Sequence, residues 1–204
     1  MIWKTLQYKK GLEIVEEIKN MLLAETERLI LRPYQIEDYA NWLKQHYERK
    51  VAQTKHDNGY SDMSSYTYES FGNWIADFHR RALNDEMYVL GVFRKSDGIH
   101  IGKIELFTIL RMDYQWAMMG YSIHNQHFGN GYATEAVLAA KQLFFDQLEF
   151  HRIELHINTD NHVSVKVAKK TGFQYECTRK SFSYEEGEWK DFLIYYQNKE
   201  KEER

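Results

Sequence analysis

The sequence predicts a mixed α/β (α+β) fold in which a largely antiparallel sheet is flanked by helices. Three observations carry this. Three strand-like runs, 87–93, 100–109 and 116–123, follow one another, the first two joined by the turn Lys95-Ser96-Asp97-Gly98. The third run enters a glycine-bearing turn, a helix and another strand, a β-turn-helix-β unit spanning 116–157. The chain's 204 residues, 43% hydrophobic and 28% charged, suit a single sizeable core and not a disordered chain.

The elements follow in order. Leu12, Ile14, Val15, Ile18, Met21 and Leu22 recur at helical spacing, so 11–24 reads as an amphipathic helix, taken as an extension (1–24) ahead of a domain at 25–204. That helix could pad the domain or pack on another subunit, which makes a homodimer an expectation. Residues 28–33 (RLILRP) read as a first strand, 36–48 as a helix holding Trp42, and 68–83 as a helix holding Phe71, Trp74 and Phe78. The polar stretch 51–66 between those helices has no periodicity and reads as a loop of the length that tends to be functional. After the three strands, Ala133, Ala136, Val137, Ala140, Leu143, Phe144 and Leu148 line one face of a helix at 132–148. Ile153, Leu155 and Ile157 alternate along a strand at 152–157, a short helix at 162–170 stops at Gly172, and two last strands flank a turn at Gly187.

Composition narrows the class of function. A net charge of −3 provides no general positive field, so neither nucleic acid nor an anionic membrane is an expected partner. One cysteine, Cys177, excludes an internal disulfide, and the charges at Lys4, Lys9, Lys10 and Glu13 break any apolar leader. No apolar run approaches the ~20 residues that span a bilayer. The expectation is a soluble, cytoplasmic protein.

The segment Gln126–Ala136 concentrates the chemistry. Gly129 and Gly131 sit in a turn between a strand and a helix start, where backbone N–H groups and the positive helix terminus can hold an anion such as pyrophosphate. The same two glycines can also serve as a plain tight connection. Rival phosphate motifs fit less well: no G-x-x-x-x-G-K-[ST] run is present, and the dinucleotide fingerprint would need a small residue at Thr134 and an acid closing the next strand, which instead ends Ile157-Asn158.

The run Q-x-x-G-x-G at Gln126–Gly131, continued by Tyr132-Ala133-Thr134-Glu135-Ala136, resembles the acyl-CoA loop of the GNAT N-acyltransferases. Asn161-x-x-Ser164 and Lys170-Thr171-Gly172-Phe173 follow in the order of that family, and Glu27–Pro33 resembles the first strand of its ribosomal-protein N-terminal alanine acetyltransferase branch. The likeness runs over about residues 25–197. It implies a GNAT fold whose central strands splay to hold acetyl-CoA, with transfer to an amine by direct attack in a ternary complex. It also implies pyrophosphate binding by the amides of Phe128, Gly129, Asn130, Gly131, Tyr132 and Ala133, and pairing of the pantetheine arm with the backbone of Tyr121, Ser122 and Ile123. Ser164 would assist the departing CoA sulfur, and Asn161 would touch the cofactor, cap the helix, or both. A backbone N–H at the splay would stabilise the oxyanion.

Only a neutral amine attacks, so a proton acceptor is also needed. The resembled branch takes a glutamate from the first of the two last strands, and the match places Ser183 there. Glu105, expected to share a strand face with Ile101 and Phe107, is the preferred substitute, and Glu185 stands behind it. His124 with His127 and His151 with His156 lack further ligands, so no metal is expected. Trp42, Tyr60, Trp74 and Trp116 are candidate walls of the acceptor pocket. The acceptor favoured by the branch is a protein N-terminus; a polyamine, an aminoglycoside-like amine or an amino acid is the alternative. Further alternatives are a non-catalytic CoA-binding regulatory module and a structural interaction domain.

Overall fold

The computed structural model describes residues 21–200. The helix expected at 11–24 lies, up to residue 20, outside the described residues. From there Leu22 is buried in the core, and Ala24–Glu25 forms a short strand, β1, paired with β2 (Leu29–Arg32). The helix expected at 36–48 begins instead as a 3₁₀ turn, Ile36–Asp38, before α1 (Tyr39–Tyr47). The cause is Asp38, which accepts two bonds from the Arg32 guanidinium (2.8 and 2.7 Å) and one from the Gln35 N–H (2.8 Å). Helix α2 (Tyr68–Leu83) starts where Thr67 accepts from the Ser70 N–H at 3.1 Å.

Three antiparallel strands follow: β3 (Met87–Arg94), β4 (His100–Leu110) and β5 (Trp116–Ile123). Then come α3 (Tyr132–Gln147), β6 (Arg152–Asn158), α4 (His162–Lys170), β7 (Gln174–Glu185) and β8 (Glu188–Asn198). The eight strands form one sheet in the order β1-β2-β3-β4-β5-β6-β8-β7. Gly172, at φ +86°, ends α4 in the left-handed conformation that glycine adopts without a Cβ penalty.

Two cores sandwich the sheet. On one face Val137, Ala140 and Phe144 of α3 and Ala168 of α4 pack on Leu90, Ile104, Leu106 and Leu155. On the other, Tyr34, Trp42, Phe71 and Ile75 pack on Met87, Val89 and Phe93. Strand β3 feeds both, so its apolar run is continuous rather than alternating. A bulge in β4 corrects one expectation. Val92 pairs with Gly102 and Phe93 with His100, so the extra residue, Ile101, turns into the α3-side core. Glu105 therefore shares its face with Phe107 and not with Ile101.

Among the described residues, strands β5 and β6 are the one parallel pair, and they stay together for only Trp116↔Arg152, Ala117↔Ile153 and Met118↔Glu154. Beyond these, β5 remains on β4 and β6 on β8, so a gap opens between Met119–Ile123 and Leu155–Asn158. The closed end of the gap carries Glu154, 1% exposed, which accepts from Arg152 (2.8 Å), His156 (2.8 Å) and Arg179 (3.3 Å).

The expected loop at 51–66 has an internal fastening. Tyr60 N–H returns to the Lys50 carbonyl at 2.9 Å, closing a compact loop of the Ω kind. Asn125, 2% exposed, holds it: its amide donates to Lys50 O (2.8 Å) and Asp57 Oδ2 (3.0 Å) and accepts from Lys50 N–H (2.8 Å). At its outer side the loop reaches the β6–α4 turn, where Asp160 accepts from His56 at 2.7 Å and pairs with Lys55. Asn125→Ala would remove its bonds to Lys50 and Asp57, a loss of about 1–3 kcal/mol. Limited proteolysis is expected to cut the variant within 51–66 while the wild type resists; equal resistance would show that Asn125 does not hold the loop.

Candidate active site

The turn before α3 is built to present backbone. Gly129 and Gly131 have φ of +82° and +78°, and Gly131 opens α3 with no side-chain cap on the first N–H groups. Phe128, Gly129 and Asn130 are exposed, and Tyr132 and Ala133 begin the helix. The turn is rigid: the Asn130 amide donates to the carbonyls of His127 (3.0 Å) and Phe128 (3.2 Å), and its own carbonyl accepts from Arg28 at 3.0 Å. Arg28 also pairs with Glu135, whose carboxylate accepts from Thr26 at 2.5 Å. The Glu27–Arg28 end of the first strand thus braces the glycine turn, a link the linear spacing did not show.

At the gap, Asn161 caps α4, its Oδ1 accepting from the Ser164 N–H at 3.1 Å. Ser164 Oγ lies 2.6 Å from the Tyr121 hydroxyl, which also donates to the Ser164 carbonyl at 3.2 Å. Tyr121 was expected to serve through its backbone alone; its phenol joins β5 to α4 across the gap. Burial pushes that phenol up to about 12, against the opposing effect of its bond to Ser164, so it stays protonated at neutral pH. Ser122 and Ile123 continue β5 to the mouth of the glycine turn.

Glu105 lies on the opposite face of the sheet from Tyr121, opposite Gly120 in the β4–β5 ladder. Its Oε1 accepts from Lys103 Nζ at 2.6 Å, and a Cβ on Gly120 would lie 3.8 Å from its Oε2. The missing side chain at 120 leaves the carboxylate room over β5. Ser183 pairs with Lys190 just past a bulge in β7, and Glu185 is held by Asn158 at 2.9 Å at the far end of β6.

A cavity of about 350 Å³ lies between this face, α1 and the 51–66 loop. Trp42 and Trp74 line it; Tyr60 is exposed elsewhere and Trp116 stands at the other end of β5, in a separate depression with Arg179. Arg49 and Lys103 also line it, and no carboxylate is among its described lining residues. Three histidines complete the wall. His124 does not pair with His127 as a ligand set but meets His46 and His100. Burial, with smaller contributions from neighbouring cations, lowers His46 to about 4 and His100 to about 3, and His124 further, so all three are neutral at pH 7.

The structure thus combines a gap between parallel neighbours with a glycine turn of exposed residues at its mouth. That is the architecture of the acyl-CoA-dependent N-acyltransferases. The sequence agrees: the acetyltransferase (GNAT) domain family matches residues 28–174, and the chain belongs to that family. It is 36% identical over 129 residues to YjcK of Bacillus subtilis strain 168, named a probable N-acetyltransferase, a match covering 63% of this chain and 71% of that one. With the ribosomal protein uS5-alanine N-acetyltransferase of Escherichia coli K12 it shares 25% identity over 120 residues, 59% of this chain and 60% of the relative. The fold superposes on RimJ of Mycobacterium smegmatis, solved with a CoA disulfide, at a TM-score of 0.68 and 22% identity, covering 83% of this chain and 81% of that one. Among the described residues, no helix is long and apolar enough to cross a membrane.

Proposed function

We propose that this N-acetyltransferase moves the acetyl group of acetyl-CoA onto the α-amino group of a protein N-terminus, by direct attack in a ternary complex. The pyrophosphate sits on the amides of Phe128–Ala133, and the pantetheine arm runs along Tyr121–Ile123 in the gap. The amine nitrogen attacks the thioester carbonyl carbon, the tetrahedral oxyanion collapses, and the C–S bond breaks. The thiolate takes a proton from the Ser164–Tyr121 hydroxyl pair, and Glu105 takes the amine's proton directly or through water.

The observation that carries the acceptor assignment is the cavity lining. A polyamine or aminoglycoside brings several positive charges and needs several acids to hold them; here Arg49, Lys103, aromatic rings and neutral imidazoles form the wall, and the proposed base Glu105 is already paired with Lys103. An α-amine, with a pKa near ~8, loses its proton readily and needs no acidic cage. The similarity to the uS5-alanine acetyltransferase points the same way.

Thiol release from acetyl-CoA over N-terminal peptides, spermidine and an aminoglycoside tests this. Peptides with small or uncharged first residues are expected to exceed the polycations in kcat/KM by about tenfold or more, from charge repulsion in the pocket. Faster turnover of a polycation would overturn the acceptor assignment. Stabilisation by acetyl-CoA without release on any amine would instead support a CoA-binding regulatory module, the reading that Ser183, in place of the branch's glutamate, favours.

A further inference from the structure

Three histidines far apart in the chain converge at one point of the fold. His46 comes from the last turn of α1, His100 opens β4, and His124 follows β5. Their ring centroids are 4.6 Å (His46–His124), 4.9 Å (His100–His124) and 5.9 Å (His46–His100) apart. One ring nitrogen from each lies within 4.8 Å of the others.

The nitrogens are prepared unevenly. His46 Nδ1 faces the Trp42 carbonyl at 2.7 Å, which fixes a proton there and turns the lone pair to Nε2. His100 Nε2 bonds the Tyr34 hydroxyl at 2.9 Å. His100 Nδ1 and His124 Nδ1 are buried with no hydrogen-bond partner. A buried ring nitrogen left unpaired is costly, so two of them in one cluster of three imidazoles call for an occupant. Second bonds of this kind, to a carbonyl and a phenol, are also what orient imidazoles that bind a metal.

We propose that His46, His100 and His124 bind a divalent transition metal of the zinc class, with a water or hydroxide as fourth ligand. Three imidazoles form a donor set suited to zinc at an open site, and the 350 Å³ cavity beside them has room for the water. Zinc–nitrogen bonds of ~2.1 Å place tetrahedral ligand atoms about 3.4 Å apart. An ion at the centre would draw the three nitrogens in from the observed 4.8 Å limit to that spacing. The rings hang from three separate elements, so the ion would tie α1 to the sheet beside the acceptor cavity. Binding of this ion stands independently of the proposed acetyl transfer, and its test reads no acetylation.

The test uses full-length chain prepared without a polyhistidine tag, stripped with chelator and titrated with Zn²⁺ and Co²⁺. The expected result is one tightly bound ion per chain by elemental analysis, with the intense visible absorption of tetrahedral Co²⁺ and a rise in Tm. His46→Ala, on a half-buried helix position, should weaken binding by more than about 100-fold. His151→Ala, at an exposed position away from the cluster, should leave it unchanged. His124→Ala serves as a second variant if it folds. Absence of stoichiometric binding by the wild type, or binding equally strong in His46→Ala, would overturn the proposal and leave water as the occupant of the cluster.

Discussion

Replacing Glu154 with glutamine is expected to lower the unfolding free energy by about 3–5 kcal/mol, the usual loss when one partner of a buried ionic cluster is removed. The carboxylate is 1% exposed and serves Arg152, His156 and Arg179 together. Without its charge, Arg152 keeps Glu176 at 2.6 Å, while Arg179 loses this carboxylate at the closed end of the gap. Chemical denaturation should show a lower midpoint at unchanged m-value. The same residue shapes the acid limb. Burial pushes its carboxyl up, but bonds from His156 and Arg152 and the charges of Arg152 and Arg179 outweigh this and hold it below its ordinary value. A carboxyl depressed in the folded state contributes stability above its unfolded pKa of ~4.3 and loses it as pH falls toward the folded value. The wild type should therefore lose this part of its stability below about pH 4, and Glu154→Gln should lack that portion of the acid-induced loss. A variant as stable as the wild type at pH 7 would show that the cluster is dispensable.

The second large effect is kinetic. Ser164→Ala and Tyr121→Phe are each expected to lower kcat by about 100-fold, the scale of a positioned proton donor, with little change in KM for acetyl-CoA. The hydroxyls stand 2.6 Å apart and act as one donor unit, so the double variant should fall little further than either single one. Independent, multiplicative losses would assign the two groups separate roles. Unchanged kcat in both would remove this pair from the proposed mechanism and send the leaving thiolate's proton to another source.

Apart from the short strand β1 and the 3₁₀ turn before α1, the order and type of the described elements from residue 28 onward were legible because each rests on local rules. The 3.6-residue period of 132–148 matches α3, the alternation of Ile153, Leu155 and Ile157 matches β6, and Gly172 ends α4 as glycine does. The glycine turn and the Asn161 cap were legible for the same reason, since a positive φ or an N-cap involves only a few neighbouring residues.

Tertiary structure decided what depends on register between distant strands. A single bulge residue turned Ile101 into one core while Glu105 stayed on the other face, which no alternation pattern could reveal. The Tyr121 phenol found Ser164 because β5 and β6 part after only three residue pairs, placing α4 beside the gap. His46, His100 and His124 look unrelated along the chain and meet because α1 packs over the β4–β5 pair. By itself the sequence determined the scaffold and the glycine turn before α3, where backbone conformation suffices. Only the tertiary structure decided which side chains share the cavity beside α1, because their meeting depends on sheet register, a bulge and helix docking between residues far apart in the chain.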